Sequence, residues 1–324
     1  GNNAIQIGFD YGKDTSSTNS VTNNNSYIGT NNGTINLNTD NNDINIKGAN
    51  IEANNINIEV ANNLNIESLQ DSYYNKSNSN NFGFNIGSNS NNSTNTGFNF
   101  GNTKGTIDSQ WVNDQTSIIG NDKVTINTKN NTNIKGSLIA SGSYDNNGNF
   151  VDNNNLEINT NTLVYEDIKD FYNNETKGYN FSTSIGANKT DQNDINLHPQ
   201  GTTTIGLTNQ SEEKEQITKA TIGNGTINIS DTTKSDDINN LNRDINKSQE
   251  IIKDEITGVL DGSMTIDNRL FTEGGREDIK TDLKNLPMNT IIATAGAMSQ
   301  VEEVAEFGRE TLEKVPGVGL IISQ

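Results

Sequence analysis

The feature that most constrains this sequence is the regular return of short segments in which apolar and polar residues alternate. Alternation with a period of two is typical of a strand with one buried face. The segment around Ile35 returns around Ile56, and the one around Ile44 returns around Leu64. An interval of about 20 residues that holds two or three short strands is typical of a solenoid. We therefore expect Ile35 to stack on Ile56 and Ile44 on Leu64.

Asparagine dominates the segments between these strands. The chain contains 61 asparagines among 324 residues. Asparagine tolerates left-handed backbone at strand corners, and stacked asparagine side chains can hydrogen-bond along a ladder. A compositional bias of the genome is the alternative explanation for the surplus, with structure deciding where it is tolerated.

The overall composition excludes several classes of protein. Only 30% of the residues are hydrophobic, whereas a compact enzyme would be nearer half apolar. A large three-layer α/β domain is therefore not expected. The absence of cysteine excludes disulfides and thiolate metal sites. A net charge of −19 predicts a poor binder of nucleic acid or of anionic membranes, and no apolar run is long enough for a transmembrane helix.

The composition changes near residue 230. Of positions 1–230, 54 are asparagine and 35 are charged. Of the much shorter stretch 231–324, only 7 are asparagine and 28 are charged. We therefore predict two regions: an all-β coil over 1–230 and a small helical region over 231–324.

A longer repeat is superimposed on the short one. Residues 46–48 (Ile-Lys-Gly) recur as residues 134–136, and residues 56–58 correspond to residues 156–158 after an insert at 142–153. Each copy then runs into a segment that alternates aromatic residues and glycine, at 71–87 and 170–186. The opening residues 5–12 resemble the end of an earlier copy. We interpret these segments as hairpins that leave the coil.

The aromatic residues of these segments are the candidate contacts with a membrane or a partner. Two interpretations stay open at this point. The aromatic side chains fold back onto the flank of the coil, or they enter a membrane as alternating strands do. Strands of about 5–7 residues are expected here, which is shorter than the ~9–11 that a spanning strand needs. The candidates are Phe9, Tyr11, Phe82, Phe84, Phe98, Phe100, Tyr179 and Phe181.

The carboxy-terminal region has helical periodicity. Apolar residues recur at spacings of three, four and seven over 236–256, which predicts an amphipathic helix. Further helices are predicted over 275–286 and 291–315, with a strand pair or turn over 264–271. These helices would cap the coil, since an open terminal strand invites pairing with other chains. The alternative is a separate unit that regulates export or release.

Catalytic chemistry finds little support in the residues. His198 is the only histidine, and it lies in a loop-like segment beside Pro199. No phosphate-binding loop or zinc-protease motif occurs. Asp40, Asp43 and Asp71 are interpreted as turn residues, and Trp111 as a packing or rim residue. A polysaccharide-cleaving enzyme of solenoid fold would need clustered carboxylates on one face. We expect no enzyme activity, no cofactor and no metal.

The combination of motifs resembles a known family. An alternating strand, an Asn-rich turn, Ile-Lys-Gly, a second strand and a tail of glycine and aromatic residues are similar to the haemagglutinin repeat of filamentous haemagglutinin-type exoproteins. Residues 213–227, 241–244 and 265–276 resemble the junction between the second repeat block and the pre-toxin region of contact-dependent growth-inhibition exoproteins. The resemblance extends from about residue 5 to residue 286.

The resemblance implies a right-handed parallel β-helix exported by two-partner secretion. It implies a location at the surface of a Gram-negative bacterium and a role in delivering a carboxy-terminal toxin domain. The implied partners are the outer-membrane transporter of the producing cell and the outer membrane or a receptor of the target cell. The alternative function is an adhesin stalk that binds host cells or matrix.

Overall fold

The structure, a computed structural model, describes residues 5–88, 93–188 and 201–271. This part of the chain is all-β, and its sheets are open and curled. It contains no α-helix, and only four short 3₁₀ turns interrupt the strands. Two sheets account for the fold: an 11-stranded sheet of mainly parallel strands and a six-stranded antiparallel sheet.

The strands of the 11-stranded sheet form what we term the stacked region, through which the chain passes five times. Long strands bend from one stack to the next, so a single strand can supply two or three stacked segments. The strands are β2 (Ser26–Gly29), β3 (Thr34–Asn38), β4 (Ile44–Lys47), β5 (Ala49–Val60), β6 (Leu64–Glu67), β9 (Ser117–Lys135), β10 (Leu138–Tyr144), β11 (Phe150–Asp152), β12 (Leu156–Glu166), β15 (Thr221–Ile222) and β16 (Gly225–Ile229).

Three stacks of parallel strands run through the stacked region. Ile35 pairs with Ile56, and Ile44 pairs with Leu64, so the stacking predicted from the sequence return is confirmed. The first stack aligns Ile28, Ile51, Ile118, Ile139 and Ile222. The second aligns Leu37, Ile58, Ile126, Ile158 and Ile227. The third aligns Ile46, Ile66, Ile134 and Tyr165.

Stacking aligned isoleucines produces one continuous core. Ile56, Ile58, Ile126 and Ile158 have no exposed side-chain surface, and Ile66 is 1% exposed. Each buried aliphatic side chain contributes roughly 1.5–3 kcal/mol by leaving water. The modest apolar content of the sequence is therefore sufficient, because the stacked region concentrates its apolar residues at inward positions.

The outward asparagines of the stacks form hydrogen-bonded ladders. Asn57 Nδ2 donates to Asn36 Oδ1 at 2.8 Å, and Asn65 Nδ2 donates to Asn45 Oδ1 at 2.9 Å. A longer ladder runs Asn228, Asn159, Asn127 and Glu59, with donor–acceptor distances of 2.7, 2.8 and 2.6 Å. The predicted ladders are confirmed. The predicted use of asparagine in left-handed corners is mostly wrong, since within the described ranges Asn154 is the one non-glycine residue with positive φ.

Glycine forms the corner after the third stack. Gly48 has φ of 56° and Gly136 has φ of 52°, values that other residues adopt only with strain. A Cβ atom at Gly136 would lie 2.5 Å from Ile168 Cδ1. In each copy of the Ile-Lys-Gly repeat, the isoleucine is therefore buried, the lysine faces outward and the glycine forms the tight corner.

The predicted hairpins exist, but their strands are longer than expected, and the interpretation that they fold back onto the coil is wrong. They contribute to the antiparallel sheet, which we call the hairpin sheet. Its strands are β1 (Ile5–Val21), β7 (Asp71–Ser88), β8 (Ser93–Trp111), β13 (Ile168–Asn188), β14 (Thr202–Thr218) and β17 (Gln249–Asp267).

The strands of the hairpin sheet are much longer than the short segments expected from the sequence. β1 has 17 residues and β13 has 21 residues. They pair along their length in the order β1-β7-β8-β13-β14-β17. The hairpins therefore form a sheet with one another and do not fold back onto the flank of the coil.

The two complete hairpins leave the stacked region at the same corner. The chain departs after the third stack, at β7 and β13, and re-enters the first stack from β8 and β14. β1 likewise leads into the first stack, in agreement with its interpretation as the end of an earlier copy. The insert at 142–153 is a small separate hairpin in which Tyr144 pairs with Phe150.

The predicted helix over 236–256 is wrong. Residues 249–267 form β17, which pairs with β14. Before it, Asp231, Asp237 and Asp244 each accept a hydrogen bond from the backbone N–H two residues ahead. Each of these aspartates caps the start of a separate 3₁₀ turn, at Thr232–Lys234, Ile238–Asn240 and Ile245–Lys247. The backbone is extended at Asp237, Leu241 and Asp244, so no continuous helix forms.

These turns nevertheless cover the end of the stacked region. Leu241 is 5% exposed and joins the core, and Asn242 bridges to Thr221 of the last pass. Of the predicted strand pair or turn over 264–271, the first part lies in β17 and Asn268–Phe271 forms a 3₁₀ turn. The helices predicted over 275–286 and 291–315 lie outside the described residues.

Candidate functional site

The eight candidate aromatic residues lie on one face of the outer half of the hairpin sheet. Residues that oppose one another in an antiparallel pair share a face. One row therefore aligns Phe9, Phe84 and Phe98, and the next aligns Tyr11, Phe82, Phe100 and Phe181. Tyr179 lies two residues from Phe181 and thus on the same face. We call this surface the aromatic face.

The side chains of the aromatic face contact one another in part and remain open to solvent in part. The ring centroids of Phe84 and Phe98 are 5.0 Å apart, as are those of Phe100 and Phe181, which stack. The rings of Tyr179 and Phe100 are in a T-shaped arrangement, with their centroids 6.4 Å apart. The exposed members are Phe9 (59%), Tyr11 (53%), Phe82 (45%) and Tyr179 (50%).

The aromatic face carries further apolar residues that were not selected from the sequence. They continue the same two-residue alternation on their strands, and this alternation in the sequence could have identified them. All of them are at least 41% exposed, so the outer half of the sheet presents a contiguous apolar surface. They are Ile5, Ile7, Ile86, Leu207 and Met264.

The opposite face is flat and polar because asparagine lies across glycine. Gly97 opposes Asn85, and Gly206 opposes Asn180. A Cβ atom at either glycine would collide with the Oδ1 atom of the opposed asparagine. The backbone at these positions does not have positive φ, so space for the neighbouring amide is what requires glycine here.

A buried carboxylate fixes the point where the second hairpin leaves the stacked region. Asp170 is 1% exposed. Its Oδ1 atom accepts from Val112 N at 3.1 Å and from Gln70 Nε2 at 2.9 Å. Its Oδ2 atom accepts from Thr218 Oγ1 at 2.6 Å and Gln216 Nε2 at 3.0 Å. One side chain thus joins the bases of both hairpins, and a carboxylate is well suited to accept four hydrogen bonds.

Asp71 has the corresponding position at the start of the first hairpin. Its Oδ1 atom accepts from Asn23 N at 2.6 Å, and its Oδ2 atom accepts from Asn113 Nδ2 at 2.6 Å. Its interpretation as a turn residue is therefore incomplete, because it also connects the entry of β1 to the first hairpin. The repeated Asp-x-Tyr and Asp-Phe-Tyr starts of the two hairpins were the sequence signal for this role.

Ion pairs neutralise the lysines at the base of β14 and β17. The hydrogen bond that Lys214 donates to Glu212 raises the pKa of Lys214, and the one that Lys253 donates to Glu213 raises the pKa of Lys253. Lys214 also lies 3.8 Å from Asp254. The inner part of these two strands is thus a network of paired charges, whereas the two aromatic rows carry no charge.

The described residues show no metal-binding cluster. No group of three or more metal-ligating side chains converges within the described ranges. His198 lies outside those ranges. None of the helical segments that the structure describes has the length and apolarity needed to cross a bilayer. The exposed apolar side chains of the aromatic face make it the principal candidate for function.

Comparison with known proteins supports part of the resemblance. Residues 1–82 match the family model described as Hemagglutinin repeat. The match includes β1 to β6 and ends within β7, at Phe82 of the aromatic face. This repeat is typical of secreted, cell-surface proteins of the filamentous haemagglutinin type. No curated protein and no solved structure matches the chain.

Proposed function

We propose that this chain is a structural and delivery segment of a secreted contact-dependent growth-inhibition exoprotein. The stacked region would be a right-handed parallel β-helix of haemagglutinin-type repeats. Five passes through three parallel stacks and the haemagglutinin-repeat match over residues 1–82 support this proposal. The segment would pass through an outer-membrane transporter of a Gram-negative producing cell and carry a toxin domain on its carboxy-terminal side.

In this proposal, the hairpin sheet engages the outer membrane of the target cell through its aromatic face. The observation that carries it is the contiguous, uncharged apolar surface of the outer half of the sheet. A contiguous exposed apolar patch is typical of a surface that binds a protein or a membrane. The inner half of each strand would hold this surface away from the stacked region. No enzyme activity, cofactor or metal is required for this role, and no nucleic acid is a partner.

An adhesin stalk is the second candidate function. The outward asparagine ladders of the stacked region favour it, because they present regularly spaced amides to a host cell or matrix. The two functions place the contact surface differently. Delivery uses the aromatic face of the hairpin sheet, whereas adhesion uses the outward face of the stacks.

Vesicle binding by the full chain separates the two proposals. Replacing Phe82, Phe84, Phe98 and Phe100 with serine should abolish vesicle association and toxin delivery. A second variant, Phe9→Ser with Tyr11→Ser, changes only exposed side chains and therefore guards against a folding defect. The matched control, Tyr27→Ser with Val151→Ser, removes equally exposed apolar groups from the stacked region.

The delivery proposal requires that both aromatic variants lose binding while the control retains it. Circular dichroism should show unchanged strand content in the Phe9 and Tyr11 variant. Unchanged vesicle association in both aromatic variants would refute membrane engagement by this face. Loss of cell adhesion on changing the asparagine ladder, with vesicle binding unchanged, would favour the adhesin stalk.

A further inference from the structure

Four lysines border the apolar part of the aromatic face. Lys13 is two residues from Tyr11, and Lys104 is four residues from Phe100. Residues separated by an even number of positions along an unbroken strand lie on the same face, so both lysines lie on the aromatic face. The pairing of Lys104 with both Asn78 and Lys177 places Lys177 in the adjacent position. Lys76 lies one row closer to the stacked region. We call Lys13, Lys76, Lys104 and Lys177 the lysine belt.

The belt separates charge between the two faces of the sheet. From the outer end to the row of Lys76 on β1, β7, β8 and β13, the aromatic face carries these four lysines and one acid, Glu175. Over the same stretch the opposite face carries Asp10 and Asp14. This local excess of positive charge occurs in a chain whose net charge is −19.

The belt lysines are available to a ligand. All four are exposed. Lys177 pairs with Glu175, while Lys13, Lys76 and Lys104 make no ion pair with any residue that the structure describes. Lys214 and Lys253 of the same sheet are, by contrast, bonded to glutamates. Unpaired lysines beside an apolar surface are a pattern that suits an anionic lipid interface.

The dimensions favour one membrane leaflet. On β1 the apolar residues of this face extend from Ile5 to Tyr11, a length of about 20 Å at ~3.4 Å per residue. The hydrocarbon core of a bilayer is about 30 Å thick. The described apolar surface is thus too short to cross the core upright but deep enough to enter a single leaflet. The lysine belt would then lie at the depth of the headgroups.

We propose that the aromatic face enters one leaflet as far as the lysine belt, whose ammonium groups bind the phosphates of anionic lipids. This inference rests on the proposed membrane contact and names its lipid class. The net charge alone predicts poor binding to anionic membranes, whereas this inference predicts binding. At physiological ionic strength charges are screened over about 8 Å, so the local belt outweighs distant carboxylates at the lipid surface.

The test measures binding of the full chain to two kinds of vesicle: phosphatidylcholine alone, and phosphatidylcholine with phosphatidylglycerol. A basic residue near an anionic surface adds about fivefold in affinity. We expect the unchanged chain to prefer the anionic vesicles by at least about tenfold, with the preference falling as salt rises. Inorganic phosphate at matched ionic strength should not displace the protein.

Variants with equal net charge test whether the preference for anionic vesicles depends on the lysine belt. Changing Lys13, Lys76, Lys104 and Lys177 to glutamine should remove the preference but leave residual binding to phosphatidylcholine. The control changes Lys47, Lys123, Lys129 and Lys135 of the stacked region to glutamine, which alters the net charge equally. It should keep the preference, and arginine at the four belt positions should restore it.

Three results would overturn the inference. Equal binding of the unchanged chain to both kinds of vesicle would refute the role of anionic lipid while leaving membrane contact in place. Equal loss of preference in the belt variant and the control would attribute it to net charge. Binding to neither kind of vesicle would remove the proposed membrane contact together with the inference.

Discussion

Apolar and polar residues alternate along the strands of both the stacked region and the hairpin sheet, but the apolar residues are buried to different extents in the two. In the stacked region the inward isoleucines pack on one another in a common core, so Ile58 and Ile126 are fully buried. In the hairpin sheet one face has no covering layer over its outer half among the described residues, and Phe9 remains 59% exposed. Alternation therefore predicts strands, while burial depends on how those strands are arranged.

The largest effect is expected from a charge in the stacked region. Ile134 has no exposed surface and lies between Ile66 and Tyr165. Ile134→Asp would bury an unpaired carboxylate and lower the free energy of unfolding by about 3–5 kcal/mol. The outward neighbour provides the control, since Asn133→Asp should cost less than about 0.5 kcal/mol. Similar denaturation midpoints for the two variants would contradict the face assignment.

Loss of the carboxylate at the hairpin bases should have a local effect. Asp170→Asn replaces one acceptor oxygen with a donor that faces other donors, which costs about 1–3 kcal/mol. Hydrogen exchange should accelerate in β8 and β13 and remain slow in the stacked region. The exposed Asp108→Asn change on β8 should leave both unchanged. Faster exchange throughout the stacks would show that the two regions unfold together.

Glycine should matter for different reasons in the two regions. Gly136→Ala forces a left-handed alanine against Ile168 and should cost about 2 kcal/mol. Gly97→Ala in the hairpin sheet requires only that the Asn85 side chain move, so we expect less than about 1 kcal/mol. Thermal unfolding of both variants measures the difference. A larger loss at Gly97 would mean that the flat polar face is rigidly packed.

The smallest effect is expected from the asparagine ladders. Asn127 bonds to both Glu59 and Asn159, and its bond to Glu59 is exposed to water. Asn127→Ala should therefore lower the free energy of unfolding by only about 0.5 kcal/mol. Urea denaturation would detect this change against Thr125→Ala, which lies on the same outward face two residues away. A loss above about 2 kcal/mol would indicate strong coupling along the ladder.

The sequence predicted which residues pair wherever the two partners are separated by the length of a repeat. Ile35 and Ile56 could be paired because their period is visible in the chain. Phe100 and Phe181 have no such period between them, and their contact depends on the register of two hairpins. The aromatic residues could be selected in advance, but their common face and the adjoining lysine belt could not.

The carboxy-terminal error has a specific physical origin. The apolar spacing of Ile238, Leu241 and Ile245 suits a helix, but Asp237 and Asp244 bond to backbone groups two residues ahead. Each of these bonds caps the start of a separate short turn, and the extended backbone at Leu241 and Asp244 prevents a continuous helix. Buried Leu241 and Ile245 then satisfy the same apolar pattern as the cover of a stack.

The hairpins leave the stacked region and return to it at one corner. They therefore increase the number of residues that separate two stacked partners in the sequence. Asn45 and Asn65, bonded neighbours on successive passes, are separated by an interval of 20 in the sequence. Asn63 and Asn131, which join the next two passes, are separated by 68. Loop-closure entropy grows only with the logarithm of length, so the excursion raises the cost of joining those passes by about 1 kcal/mol. Successive passes can therefore accommodate long insertions at this corner, and the external surface can be enlarged or exchanged with little effect on the assembly of the stack beneath it.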